Sequence, residues 1–378
     1  MSDWHDDSYP ELRDGPPWVM QEMITIEPQL APLIEPDPAA TDLANRIRRA
    51  AAAGAPVVLV GCGSSLHAAL AIADLLEGAL AAAGTPQRVE ARDALEAALE
   101  PRAGGICVGV THDGGTHATT LALEAARVAG STTALITHRP EGACSGPAEL
   151  VVATPIPDRS WCHTVAYVSA LLAGAGVAAC IAGTPIDPTA VAKRMSSLCE
   201  DLIGAADAAA QLLAQAPRVV SAGSGCDRVT SRELVLKLEE GPHLPAAHRD
   251  LEILLHGHLV ACDAGAPIVL FAVDPRGRPR RLERAGRLVD AAAVLDLPIV
   301  LIADREGARL GDRPAVVHCL DTGTATLPEP LDALLAGAFA LQTLTLAAIH
   351  ARGTNPDLIR REQAPWRAAA GILDEPGW

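Results

Sequence analysis

The stretch VVLVGCGSS at residues 57–65 decides the fold of this chain. Its first four residues are apolar, as in a short buried strand, and the glycines after them mark a tight turn. An Ala- and Leu-rich helical segment follows and extends to about residue 83. A strand that is apolar at every position is typical of a parallel sheet with helices on both faces.

The same alternation continues along the chain. A second apolar run at residues 106–110 leads into THDGGT at residues 111–116 and then a helical segment that ends near residue 129. Two more apolar runs occupy residues 133–136 and 150–153. Short apolar strands separated by helices indicate βαβ units and therefore a parallel α/β sheet.

The pattern then recurs in the second half of the chain. Gly223 follows Gly61 by 162 residues and Gly277 follows Gly115 by the same 162, each after an apolar run. A third run, at residues 298–303, keeps nearly the same offset. An internal repeat of this length indicates a duplicated domain. We therefore predict two tandem doubly wound, flavodoxin-type α/β domains, with ligands bound at the carboxyl ends of the strands.

We predict four regions along the chain. An extension and helix at residues 1–40 precede a first domain at 41–190, a second domain at 191–350 and a tail at 351–378. The early helix is expected over residues 20–33, with Pro28 as a kink or a boundary, and a second helix from Thr41, as the N-cap, to about residue 53. A helix over residues 229–241 is expected to end at the Gly-Pro pair.

Composition and charge exclude several functions. Hydrophobic residues make up 49% of the chain, which is enough for a core and excludes disorder. Aromatic residues make up only 2%, which argues against a stacking surface for single-stranded nucleic acid. The net charge of −16 argues against binding a nucleic-acid backbone or an anionic membrane. We expect neither as a partner.

Further features point to the cytoplasm. Nine cysteines are scattered without a C-x-x-C pair, a pattern that fits reduced thiols. The acidic N-terminus does not resemble a signal peptide. The longest apolar stretch, residues 331–349, contains Asp332 and Gln342, so we expect a buried helix there.

Two loops are candidate ligand sites. The first contains Gly63, Ser64 and Ser65, and the second runs from Thr111 to Thr116. Hydroxyls and backbone N–H groups at helix starts can hold an anion, but Ser64 could equally be an ordinary N-cap. Asp113 argues against a phosphate in this loop, because a carboxylate repels phosphate and suits a hydroxyl-rich sugar. A phosphate would be tolerated if Asp113 caps its own helix, or if it pairs with Arg139 or a protonated His112.

Three charged residues share one face of the 229–241 helix. Glu233, Lys237 and Glu240 stand at i, i+4 and i+7. This row could supply a base for a C–H proton and a cation for an enolate, or it could be a solvated salt-bridge face. His256, followed by Gly257 and His258, could act as an acid or base; a metal pair would lack a third ligand nearby.

The chain resembles the tandem sugar isomerase (SIS) domain proteins, related to the isomerase half of glutamine–fructose-6-phosphate aminotransferase, over residues 19 to 362. Residues 20–28 resemble its Met-x-x-Glu-Ile-x-x-Gln-Pro segment, and residues 61–65 match Gly-Cys-Gly-Thr-Ser. Residues 111–116 stand in place of Ser-Gln-Ser-Gly-Glu-Thr, residues 164–167 resemble Thr-Lys-Ala-Phe, and residues 233–240 match Glu-x-x-x-Lys-Leu-Lys-Glu. His256 keeps the family spacing from Glu240, and residues 353–354 begin the tail.

This resemblance implies roles for most of these residues. Glu240 would move a proton between C1 and C2 of a sugar, supported by Glu233 and Lys237, and His256 would act in ring opening from a neighbouring subunit. The sugar or sugar phosphate would be held by eight residues: Gly63, Ser64, Ser65, Thr111, His112, Asp113, Thr116 and Thr164. The resemblance implies no metal or other cofactor, and it implies that the protein forms a homodimer.

The positions at which this sequence departs from the family pattern bear on which substrate the protein uses. No glutaminase domain precedes the SIS-like part in this sequence, and residues 253–255 replace the Glu-Leu-Lys before the family histidine. The tail at residues 353–357 resembles the amino-sugar deaminase or deglycase branch more than the synthase. We therefore expect an amino-sugar or sugar-phosphate isomerase, aminotransferase or deaminase. The alternatives are a catalytically silent sugar-binding module and an isomerase of a non-phosphorylated sugar.

Overall fold

The structure is a computed structural model that describes residue 13 and residues 15–202, 206–310, 316–319 and 327–374. Helix α1 (Val19–Ile26) is followed directly by a 3-10 helix (Glu27–Ile34) with Pro28 in its first turn, so the predicted boundary at Pro28 lies within one residue of the observed change. Helix α2 (Pro38–Ala52) begins earlier than predicted. Its N-cap is Asp37, whose side chain accepts a hydrogen bond from Ala40 N. The helix can start before Thr41 because proline, here Pro38, is compatible with the first helical position.

The first sheet is formed by five short parallel strands. They are β1 (Val57–Gly61), β2 (Val89–Asp93), β3 (Ile106–Val110), β4 (Thr132–Thr137) and β5 (Leu150–Ala153). The helices around them are α3 (Ser64–Ala82), α4 (Ala94–Leu99), α5 (His117–Val128) and α6 (Val165–Ala182). The strand order β2-β1-β3-β4-β5 is that of flavodoxin-like domains, whose switch point lies between β1 and β3.

The second sheet repeats the first. Helices α7 (Pro188–Leu202) and α8 (Asp207–Gln215) precede strands β6 (Val219–Gly223), β7 (Ala246–Asp250), β8 (Ile268–Ala272), β9 (Ile299–Ala303) and β10 (Val316–Cys319). Helices α9 (Asp227–Glu240), α10 (Leu251–Leu255), α11 (Arg278–Val294), α12 (Leu331–Arg352) and α13 (Ala364–Asp374) complete the chain. Read from β7, the order is β7-β6-β8-β9-β10, which matches the first sheet and confirms two tandem doubly wound domains.

Three strands were not predicted: β2, β7 and β10. Each lies at the edge of its sheet and pairs with a single neighbour. All five side chains of β7 are partly buried, and so are three of the five side chains of β2. Edge strands can carry charged and polar residues, as β2 and β7 do, and no apolar run then marks them. Strand β5 is also an edge strand, but its residues are all apolar and it was predicted.

Among the residues that the structure describes, three helices are long and apolar enough to cross a membrane, by length and composition alone: α3, α6 and α12. In the structure they pack within the fold. Helix α6 lies against α3 and the 3-10 helix, and α12 lies against α8 and α9. Nearly all residues of α6 and most of those of α12 are buried, which confirms the buried helix predicted at residues 331–349.

The tail returns to the start of the fold. The Asp357 carboxylate accepts hydrogen bonds from Val19 N at 2.8 Å and Met20 N at 2.9 Å. Asn355 Oδ1 in turn accepts from Asp357 N at 2.9 Å. A carboxylate at a helix N-terminus satisfies free N–H groups and interacts favourably with the helix dipole. The Asn-Pro-Asp part of the tail therefore holds α1 in place.

Candidate active site at the junction of the two domains

The charged row on α9 is buried and points between the domains. Lys237 is fully buried, and Glu233 is 1% exposed. Lys237 Nζ lies 3.5 Å from Glu233 Oε1 and 2.6 Å from Glu240 Oε2. The Glu240 side chain is 23% exposed, so it is the member of the row that solvent reaches. The solvated salt-bridge face considered for this row is therefore wrong.

The first domain contributes two more groups to this row through α3. Ser64 Oγ donates a hydrogen bond of 2.8 Å to Glu233 Oε1, and His67 Nδ1 lies 2.7 Å from Glu233 Oε2. The loop before α3 allows this approach, because a Cβ on Gly61 would lie 2.8 Å from the Ser65 carbonyl. Gly63 adopts φ 54°, a conformation that favours glycine.

The electrostatics of the row follow from these contacts. Burial opposes ionisation of Glu233, but the Lys237 ammonium, His67 and Ser64 together lower the pKa of its carboxyl from 4.5 to about 2. Burial also opposes the charge on Lys237, but Glu240 and Glu233 raise the pKa of Lys237 well above its ordinary value. A fixed ammonium therefore lies between two carboxylates, which is the compensation a buried charge requires.

The second predicted loop satisfies its own hydrogen-bond donors. Asp113 Oδ1 accepts from Thr111 Oγ1 at 3.0 Å, Gly115 N at 3.0 Å and Thr116 Oγ1 at 3.4 Å. Asp113 thus caps its own loop, one of the two arrangements in which we expected it to tolerate phosphate. The cap, however, uses the two threonine hydroxyls that were expected to hold a phosphate.

His112 and Thr164 lie behind this loop. His112 Nε2 accepts a hydrogen bond of 2.8 Å from Asp158 N, and its ring stacks on His138 at 5.3 Å. Burial lowers the pKa of His112 to about 4, so the ring is neutral at pH 7 and does not pair with Asp113 as a cation. Thr164 N donates to Asp158 Oδ2 at 2.7 Å, and the buried Thr164 Oγ1 has no partner among the described residues.

His256 stands apart from the α9 row within one chain. Its side chain is 73% exposed, at the end of α10, and Nε2 lies 2.9 Å from Glu252 Oε1. Glu252 also pairs with Arg284. The structure therefore brings together Ser64, Glu233, Lys237 and Glu240 but leaves His256 on the surface. Ser65 is partly buried in the first turn of α3.

The equivalent edge of the second domain is filled by an ion network. Asp274 accepts hydrogen bonds from Cys226 N and Arg276 N, and it pairs with Arg276 and Arg281. Arg276 also pairs with Asp74 of α3 at 3.0 Å, which ties this edge to the first domain. These side chains occupy the loops that correspond to the ligand loops of the first domain. The junction is thus the better candidate site.

No protein-family model matches the chain, and no curated protein matches it significantly by sequence. Solved structures do match. The C-terminal domain of glucosamine-fructose-6-phosphate aminotransferase from Francisella tularensis has a TM-score of 0.74 at 18% identity, over 92% of this chain and 100% of that one. The fold is that of the sugar isomerase domains. Two other SIS-fold neighbours have similar TM-scores. Tagatose-6-phosphate ketose/aldose isomerase from Escherichia coli has a TM-score of 0.69 at 18% sequence identity, over 93% of this chain and 98% of that one. Glucosamine-6-phosphate deaminase from Thermotoga maritima has a TM-score of 0.68 at 20% sequence identity, over 90% of this chain and 97% of that one.

One residue of this SIS-fold junction was missed by sequence reasoning. His67 lies three positions after Ser64, so both project from the same face of α3. This spacing is visible in the sequence. Only the packing of α3 against α9 shows that both residues meet Glu233.

Proposed function

We propose that this protein is an enzyme that interconverts an aldose and a ketose, coupled to gain or loss of an amine at C1 or C2. The observation that carries the proposal is the buried Lys237 between Glu233 and the partly exposed Glu240. Structural neighbours whose names state ketose/aldose isomerase and glucosamine-6-phosphate deaminase support the reaction class.

Glu240 is the proposed base. Lys237 Nζ holds its Oε2, and Oε1 has no hydrogen-bond partner in the part of the chain that the structure describes. Oε1 takes a proton from one of the two sugar carbons, the C–H electrons form an enediol or enolamine, and Glu240 returns the proton to the other carbon. Lys237 keeps the carboxylate in place, and Glu233 keeps Lys237 charged.

The test is a panel of ketohexoses, aldohexoses and hexosamines, each with and without a 6-phosphate. Isomer products, ammonia and exchange of the C1 or C2 proton with D2O are followed by NMR. We expect Glu240→Gln to lose about 10²–10⁴-fold in turnover with sugar binding retained. Glu239→Gln, on the exposed side of the same helix turn, is the matched control and should keep wild-type turnover. A wild type that binds a sugar and neither exchanges nor converts it would favour the silent binding module.

A second candidate is an isomerase of a non-phosphorylated sugar. Asp113 uses the hydroxyls of Thr111 and Thr116, and Glu233 uses that of Ser64. Of the four hydroxyls in the two predicted ligand loops, those of Ser64, Thr111 and Thr116 are therefore engaged within the protein, and Ser65 is the fourth. A carboxylate about 4 Å from a phosphate would also cost about 1 kcal/mol per charge pair even at the dielectric constant of water.

The discriminating measurement is the affinity for a hexose 6-phosphate relative to the free hexose, in the wild type and in Asp113→Ser. The second candidate predicts that the wild type prefers the free hexose and that Asp113→Ser shifts the preference toward the phosphate. Stronger phosphate binding by the wild type, unchanged in Asp113→Ser, would place Asp113 outside the pocket and retain the phosphorylated substrate.

A further inference from the structure

His67 is the imidazole at the junction with a nitrogen free for chemistry. Its Nδ1 is bound to Glu233 Oε2, its side chain is 15% exposed, and no hydrogen bond to Nε2 is formed within the described residues. The neighbouring imidazole of His248 differs, because its Nδ1 contacts Ser231 Oγ at 2.7 Å and its Nε2 contacts Asp250 Oδ1 at 2.9 Å. His248 is therefore occupied at both nitrogens.

The ionised Glu233 determines the form of the His67 ring. A carboxylate only accepts hydrogen bonds, so Nδ1 carries the proton, and in the neutral ring Nε2 keeps a lone pair. The ring contacts Glu233 of α9, and Lys237 lies on the other oxygen of that carboxylate. His248 on β7 is close enough to interact electrostatically with the His67 ring. Glu233 would stabilise an imidazolium formed when Nε2 accepts a proton, as a buried carboxylate does for other catalytic histidines.

Isomerisation requires a second proton transfer that the α9 row does not supply. When a ketose becomes an aldose, the C1 hydroxyl loses a proton and the C2 carbonyl oxygen gains one, while Glu240 moves the carbon-bound proton. We propose that His67 Nε2 carries the oxygen-bound proton between O1 and O2, which deepens the proposed function and rests on it. Glu240 first takes the C1 proton, a C1–C2 double bond forms, and the C2–O2 double bond opens to leave the enediolate oxygen O2. Nε2 then takes the proton from O1 and gives it to O2. The resulting O1 enediolate forms the C1–O1 double bond as Glu240 returns its proton to C2. Protons and electrons balance without a co-reactant.

The decisive variant is His67→Asn. The Asn amide N–H can replace Nδ1–H on Glu233, but it has no counterpart of Nε2. We expect a loss of about 10²-fold or more in kcat with little change in KM. We also expect exchange of the carbon-bound proton with D2O to persist, because Glu240 is intact, so that the ratio of exchange to product formation rises above that of the wild type. Fructose and tagatose, each with and without a 6-phosphate, are the probes.

The controls separate this role from a structural one. His350→Asn changes an exposed histidine near the end of α12 and should leave turnover unchanged. If His67→Asn does not fold, His67→Ala is assayed with added imidazole, which should restore part of the turnover. Wild-type kcat in His67→Asn, or no recovery of His67→Ala by imidazole, would overturn the inference alone. A wild type that shows no exchange and no turnover with any probe would overturn the proposed function, and this inference with it.

Discussion

His67 of the first domain and Glu233 of the second are joined across the domain junction by a contact of 2.7 Å between Nδ1 and Oε2. The same carboxylate accepts from Ser64 and lies beside Lys237. One buried side chain thus connects α3, which follows the first glycine-rich loop, to the proposed base on α9. The charge state of Glu233 and the placement of the two domains are therefore coupled.

Removing the buried cation should destabilise the protein strongly. Lys237→Met keeps the length and apolar volume of the side chain but leaves Glu233 buried without its ammonium partner. We expect the free energy of unfolding to fall by about 3–5 kcal/mol, measured by urea denaturation. Lys193→Met, on the exposed side of α7, is the matched control and should change it by less than about 0.5 kcal/mol. Equal effects of the two substitutions would contradict the buried ion row.

The acid sensitivity of the fold should depend on Glu233. Its pKa is about 2 in the folded protein and 4.5 as the ordinary value, so it stabilises the fold fully above pH 4.5. That stabilisation is lost as the pH falls from about 4.5 to 2. The free energy of unfolding of the wild type should therefore fall between pH 5 and pH 2 by on the order of 3 kcal/mol more than that of Glu233→Gln. Parallel curves for the two proteins, measured by urea denaturation at each pH, would show that Glu233 is not the responsible group.

Gly61, in the first loop, and Gly78, near the end of α3, should respond in opposite directions to substitution by alanine. In Gly61→Ala the new methyl would lie 2.8 Å from backbone atoms of Ser65, so the start of α3 must shift. We expect a loss of about 1–3 kcal/mol. Gly78→Ala in the exposed part of α3 meets no atom within 4 Å, and we expect a gain of about 0.5–1 kcal/mol from helix propensity. Thermal unfolding of both variants measures the difference, and a neutral Gly61→Ala would mean that the loop does not need this close approach.

We expect His256 to act at the site of a second copy of the chain. Within one chain it is exposed and paired with Glu252. We expect a homodimer in which inactive Glu240→Gln and inactive His256→Ala, mixed and allowed to exchange subunits, recover part of the wild-type turnover. Light scattering at the assay concentration checks the dimer, and folded variants are confirmed by circular dichroism. A monomer, or full activity in His256→Ala, would remove this residue from the site.

Local sequence patterns were sufficient for most of the fold. The central strands β1, β3, β6 and β8 are apolar at most or all positions because both faces are covered, and Gly61 and Gly223 are needed because the following helix passes too close for a side chain. These requirements act over a few residues, so they are visible without any knowledge of the tertiary structure. The 162-residue repeat likewise indicated two domains before the identical strand orders confirmed them.

Tertiary structure alone decided the environment of the charged groups. Helical spacing put Glu233, Lys237 and Glu240 on one face, but whether that face met water or protein depended on where α3 packs. Residues 166 positions apart, His67 and Glu233, meet only after both domains form. The Asp113 cap and the exposed His256 were equally undetermined, because a side chain's partners depend on distances that the order of residues does not contain. The helices and central strands of this protein can be predicted from short stretches of its sequence, whereas the electrostatics of its site arise from the packing of one domain on the other.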